Sequence, residues 1–99
     1  MDDELTSDAL TADFRLLQRK RGHRFSLDDL VTAWVATRAR PDAQTALDLG
    51  CGVGSVLLMV AWHLRDARLF GIEAQAISAA ICRRNLADNG LDDRASLAE

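Results

Sequence analysis

The sequence predicts an α/β fold built on a parallel sheet, with a short hairpin and a helix ahead of the first sheet strand. Three observations carry that prediction. Thr45-Ala-Leu-Asp-Leu49 is a short apolar run that ends in the glycine-rich turn Gly50-Cys-Gly-Val-Gly54. An apolar helical pattern follows at once from Ser55. A second short run, Arg68-Leu-Phe-Gly-Ile72, then closes on an acid, Glu73, 19 residues beyond Gly54. Strand, glycine turn, helix, strand and acid in that order make the mononucleotide-binding half of an α/β sheet, a unit that holds a ribose-bearing ligand.

Each element follows from its residues. The first 13 positions carry Asp2, Asp3, Glu4, Asp8 and Asp13 and no base, and are expected to be a mobile acidic N-terminus. A hairpin is predicted over 14–25: Phe14-Arg-Leu-Leu-Gln18 as a strand, returned through Gly22 into His23-Arg-Phe25. Ser26 and Asp29 stand at capping-box spacing and start a helix. Leu27, Leu30, Val31, Trp34 and Val35 give that helix one apolar stripe, and Pro41 ends it near Arg38–Arg40. The first strand, about 45–50, has nearly all apolar neighbours, as a strand covered on both faces requires. The helix after Gly54 ends near Leu64–Asp66, the second strand spans about 68–73, and Ala74–Asp88 is a second helix closed by Asn89-Gly90. A third strand begins near residue 94 and would still be running at Glu99. Residues 14–99 are therefore expected to be the incomplete N-terminal part of a larger domain.

Composition narrows the class. With 99 residues the chain is at most one small domain, and with a net charge of −3 it is not a basic nucleic-acid binder as a whole. The charge is segregated, however: Arg15, Arg19, Lys20, Arg21 and Arg24 follow the acidic start with no acid among them. Cys51 and Cys82 lack metal-ligand spacing and read as reduced packing residues of a cytoplasmic protein. His23 and His63 have no partnering ligand pattern, so no metal site is expected. The N-terminus lacks the charged and apolar regions of a secretory leader, and the apolar run Val56–Trp62 is too short to span a membrane.

The glycine spacing specifies the ligand further. A dinucleotide loop places glycine at its first, third and sixth positions; here Gly50, Gly52 and Gly54 occupy the first, third and fifth, and Ser55 the sixth. With Asp48 just before the turn, the string resembles motif I of class I S-adenosylmethionine-dependent methyltransferases, which implies a Rossmann-like methyltransferase sheet. The resemblance implies that S-adenosylmethionine sits against Asp48, Gly50, Cys51, Gly52 and Gly54. The ligand carries an ammonium and a sulfonium, which suits a carboxylate beside the turn, and Glu73 can accept hydrogen bonds from ribose hydroxyls.

A second segment sharpens the resemblance. Gln18-Arg-Lys-Arg-Gly-His-Arg-Phe-Ser-Leu-Asp28 is similar to the start of the bacterial tRNA1(Val) adenine-N6 methyltransferases, which carry a Gln-Pro-x-x-Gly-Tyr-Arg-Phe-Ser-x-Asp type sequence before the glycine turn. Gln18, Gly22, Arg24, Phe25, Ser26 and Asp28 match it; Arg19 and His23 depart from its proline and aromatic. Arg84-Asn-Leu-Ala-Asp-Asn-Gly-Leu91 resembles the family's helix end after the second strand. The likeness implies that Phe25, Ser26 and Asp28 cover the methionine end of the cofactor. It implies methyl transfer to the N6 of a tRNA adenine, with Arg15, Arg19, Lys20, Arg21 and Arg24 meeting RNA phosphates. The family's Asn-Pro-Pro-Tyr-type catalytic motif follows a fourth strand, so these residues alone are not expected to catalyse. The alternatives are a methyltransferase for a small molecule or protein side chain, or a non-catalytic cofactor-binding fragment. Ser55 in place of the third glycine disfavours a nicotinamide oxidoreductase.

Overall fold

The computed structural model describes residues 4–99. Residues 1–3, the start of the segment expected to be mobile, lie outside the described residues. The elements run β1 (Leu5–Ala9), β2 (Arg15–Arg19), α1 (Leu27–Ala39), β3 (Thr45–Leu49), α2 (Ser55–His63), β4 (Arg68–Ile72), α3 (Ala76–Asp88) and β5 (Ala95–Ala98). The strands β3, β4 and β5 form a parallel sheet in that order, with Asp48 beside Gly71 and Phe70 beside Ser96. The predicted α/β order is therefore observed, and β5 starts one residue from its expected place. No helix among the described residues is long and apolar enough to cross a membrane.

The hairpin differs from the one expected. β2 pairs antiparallel with β1, from Leu5 opposite Arg19 to Ala9 opposite Arg15, and residues 23–25 form no strand. The physical reason lies in charge. Asp8 accepts hydrogen bonds from Gln18 Nε2 (2.9 Å), Thr6 Oγ1 (2.7 Å) and Arg24 Nη2 (3.1 Å). These donors, Gln18 foremost, hold its carboxyl below the usual carboxylate range. The acidic start and the basic stretch thus neutralise each other across the hairpin, with Lys20 3.6 Å from Glu4.

Two asparagines fasten this hairpin to the α/β unit. Asn85 Oδ1 accepts from the Leu17 N–H (2.7 Å) and its Nδ2 donates to the Leu17 carbonyl (2.8 Å). Asn89 repeats the pattern on Arg15, at 3.0 Å and 2.8 Å. One helical turn advances about 5.4 Å and two strand residues about 6.6 Å, so amides four apart on α3 meet alternate residues of β2. The helix edge stands in for a strand. Asn85 Nδ2 also donates to the Val53 carbonyl in the glycine turn (2.8 Å).

The core gathers where α2 and α3 cover one face of the sheet, around Leu57, Leu58, Leu69, Cys82 and Leu86. The opposite face is bare: Leu47, Leu49, Phe70 and Ile72 are exposed, so β3 is covered on one face and not on two. Both sheet helices pack on the same side, and the alternation of β4 (Leu69 and Gly71 in, Phe70 and Ile72 out) records it. The apolar stripe of α1 is also exposed, with Trp34 52% accessible under the Arg38 guanidinium at 4.9 Å. Helix α1 instead packs on α2 through its small residues, and Ala33 and Thr37 are buried. Arg94 closes α2 by donating to the carbonyls of Ala61, Leu64 and Ala67 at 2.8–3.1 Å, a cation at a helix C-terminus.

Candidate functional site

The site is the turn between β3 and α2. Gly50, Gly52 and Gly54 all have positive φ, at 70°, 58° and 100°, so the turn curls through conformations that side chains resist. A Cβ at Gly50 or Gly52 would meet nothing within 4 Å, which leaves the backbone open to an approaching ligand. The turn is tied down behind: the N–H groups of Gly50 and Cys51 both donate to the Ile72 carbonyl, at 2.7 and 3.0 Å. It ends at the N-terminus of α2, whose first N–H groups have no partner within the helix and suit electron-rich ligand atoms.

Before this turn lies a cleft of about 300 Å³. Asp48, Gly50, Cys51 and Gly52 line it as expected, and so does Phe25. Ser26 and Asp28 do not: both are exposed. Asp29 takes their place. The capping box does not form, because Ser26 makes no side-chain cap and the Asp29 carboxylate accepts from Ser55 Oγ instead (2.8 Å). Helical rotation turns the residue after Asp28 toward α2. Arg19 and His23 also reach the cleft, so Arg19 borders the ligand space as well as the basic segment. A larger cavity of about 460 Å³ lies between α1 and the open edge of β3, but it lacks the glycine turn.

Glu73 is buried at the end of β4, and both its oxygens are engaged. Oε1 accepts from the Gly52 N–H (2.8 Å) and Oε2 from the Gln75 N–H (2.9 Å). The acid thus braces the turn, and its remaining lone pairs are what a ribose could use. Of the other basic residues, Arg15 binds Ser7 through Nε (3.0 Å) and Nη2 (2.6 Å), and Arg24 is held by Asp8, Thr6 and the Arg19 carbonyl. Lys20 and Arg21 are exposed. The sequence reasoning missed Asp29, Gln75 and Asn85; the Arg84-Asn-Leu-Ala-Asp-Asn89 string was the available signal for the last.

A parallel sheet, a triple-glycine turn and an acid at the end of the next strand define a nucleoside-cofactor domain, and comparison with known proteins agrees. Residues 25–99 match the methyltransferase small domain, and the chain belongs to that family. It is 37% identical over 70 residues to the tRNA1(Val) (adenine(37)-N6)-methyltransferase of Porphyromonas gingivalis, a match covering 70% of this chain and 28% of that protein. Among solved structures, P. horikoshii TYW2 in complex with MeSAdo superposes with a TM-score of 0.75 at 19% identity, over 99% of this chain and 36% of that one. The O-methyltransferase TomG of Streptomyces achromogenes, in complex with SAM, gives 0.62 at 24% identity, over 76% and 34%. The chain thus spans about a quarter to a third of the length of these proteins.

The residues present fit S-adenosylmethionine: open backbone at Gly50 and Gly52, and the carboxylates of Asp29 and Asp48 for its ammonium and sulfonium. Burial first, then the charges of Asp29 and Glu73, push the Asp48 carboxyl above its ordinary value. A carboxyl raised on folding favours the fold when protonated, and that contribution fades as pH climbs through the raised value. In its ionised form Asp48 therefore weakens the ligand-free fold, and a cation in the cleft relieves it. Asp48→Asn is expected to raise the melting temperature of the ligand-free protein while weakening S-adenosylhomocysteine binding by about 1–3 kcal/mol. Thermal melts with and without the ligand check both signs; a lower ligand-free melt, or an unchanged ligand shift, refutes the account.

Proposed function

We propose that the complete protein transfers the methyl group of S-adenosylmethionine to the N6 of an adenine in tRNA, and that this chain supplies the cofactor-binding part. The observation that carries this reading is the 37% identity to the P. gingivalis tRNA methyltransferase. The segment Gln18–Asp28 adds support through Phe25, which lines the cleft. Asp48 and Asp29 attract the methionine ammonium, and Glu73 receives the ribose beside the Gly52 N–H. The cofactor supplies an activated methyl. The chain's own residues contribute position, holding that group at the C-terminal ends of the strands. The adenine must come from a single-stranded loop or be flipped out. A cytoplasmic setting belongs to the same proposal.

The test is incubation of the whole protein with unmodified tRNA and methyl-labelled cofactor, followed by nucleoside analysis. Label in N6-methyladenosine is the expected result; label on another atom, or none, overturns the reading. The basic segment gives a further prediction. Lys20 and Arg21 are exposed, as is Arg15, whose guanidinium is held by Ser7; the Glu4 partner of Lys20 is itself exposed and worth little. Reversing Lys20 and Arg21 to Glu should weaken tRNA binding and lower its salt slope by about two, with cofactor affinity unchanged. Coincident salt slopes for variant and wild type would make the segment a merely solvated surface.

A further inference from the structure

We propose that Cys51 and Cys82 form a reversible disulfide that closes the cofactor cleft. Their sulfurs lie 4.0 Å apart, although the residues stand 31 positions apart in sequence. Both thiols are free and buried. Each sulfur occupies the notch left by a glycine: a Cβ on Gly54 would stand 2.9 Å from Cys82 Sγ, and one on Gly71 2.9 Å from Cys51 Sγ. The pair sits directly behind the turn, and nothing in the proposed methyl transfer uses it.

The two thiols are unequal. Cys51 borders the cleft, where a small oxidant can arrive, whereas Cys82 is fully enclosed in α3. The contact between the two sulfurs lowers the Cys51 thiol below its ordinary value and, with burial, raises that of Cys82. Cys51 is therefore the first nucleophile. With hydrogen peroxide as oxidant, the Cys51 thiolate attacks one peroxide oxygen, the O–O bond breaks, and hydroxide leaves as water, giving a sulfenic acid. Cys82 sulfur then attacks Cys51 sulfur; the S–O bond breaks, and the leaving hydroxide takes the Cys82 proton. Two thiols and one peroxide become one disulfide and two waters.

Closing the gap to the bonded distance of about 2.05 Å moves one partner. Cys82 is fixed within a helix, whereas Cys51 lies between Gly50 and Gly52, both at positive φ. The turn therefore moves toward α3, drawing Gly52 toward Gln75 and Ser78, which line the same cleft, and narrows the ligand space. Bound cofactor covers the same entrance, so ligand and oxidation exclude each other.

The effect on the cofactor rests on the proposed function; the disulfide does not. The experiment treats the reduced full chain with peroxide, with and without S-adenosylhomocysteine, and reads intact mass, linked peptides and ligand affinity. Loss of two hydrogens, a Cys51–Cys82 linked peptide, protection by ligand, affinity lower by roughly tenfold or more, and recovery with dithiothreitol are expected. Added oxygen without a link, or unaltered thiols, overturns the disulfide. A linked protein that binds the ligand as well as the reduced one overturns the closure. Reduced protein that binds no ligand at all overturns the cofactor reading and the closure with it, while the mass still decides the disulfide. Wild type suffices for every arm, so no cysteine variant needs to fold.

Discussion

Asn85→Leu is expected to destabilise the protein by about 3 kcal/mol or more. The side chain is 1% exposed and serves three backbone groups: the Leu17 N–H, the Leu17 carbonyl and the Val53 carbonyl. Leucine has similar bulk and no polar atom, so each group would lose its partner, at about 1–3 kcal/mol for a buried one. Asn85→Asp should also be damaging, because it retains the acceptor for Leu17 but replaces both donors with a buried charge. Chemical denaturation gives the test. A midpoint within experimental error of wild type for Asn85→Leu would mean that water replaces the amide without cost.

Gly52→Val is expected to remove S-adenosylhomocysteine binding while leaving a folded protein. The backbone there has φ = 58°, where a non-glycine residue costs about 1–2 kcal/mol and a β-branched one more. The new Cβ itself meets no atom within 4 Å, so the volume falls in the ligand's space and not in the core. Gly54→Val makes the contrast. At φ = 100° its Cβ would lie 2.9 Å from Cys82 Sγ, so that change should damage folding first. Calorimetric titration and thermal melts on the two variants separate the effects. Ligand affinity retained in Gly52→Val would place the cofactor elsewhere.

The α/β order was legible because its signals are local. The apolar strands, the glycine turn and the Asn89-Gly90 helix end each declare themselves within a few residues, and Gly90 indeed has φ = 71°. The hairpin was misread because its register depends on Asp8 meeting Gln18 and Arg24, partners 10 and 16 positions away. The α1 stripe was misread for a related reason. Helical periodicity shows that one face is apolar, but not whether a neighbour lies against it, and Ala33 and Thr37 offered α2 a closer approach. At the site, motif spacing put Asp48 just before the turn and Glu73 at the end of the second sheet strand, and the structure has Asp48 lining the cleft and Glu73 bonded to the turn. The exchange of Asp28 for Asp29 depended on the angle between α1 and α2, which no local pattern encodes. Glu73 carries a second lesson: a residue placed for a ligand can first be required by the turn, through the Gly52 N–H.

The amide clamp between α3 and β2 also dictates an order of events during synthesis. Its bonds join residues 68 and 74 positions apart, and Asn89 is made long after the strand it grips. At a ribosomal pace of about 5–20 residues per second, the nascent hairpin waits roughly 4–15 s for its partner. Until then β2 has only β1 beside it, and an isolated two-stranded ribbon is marginal in water. The early-made hairpin is thus secured late, once α3 has emerged and coiled, and its open edge is the part of the newborn chain with most need of a chaperone's shelter.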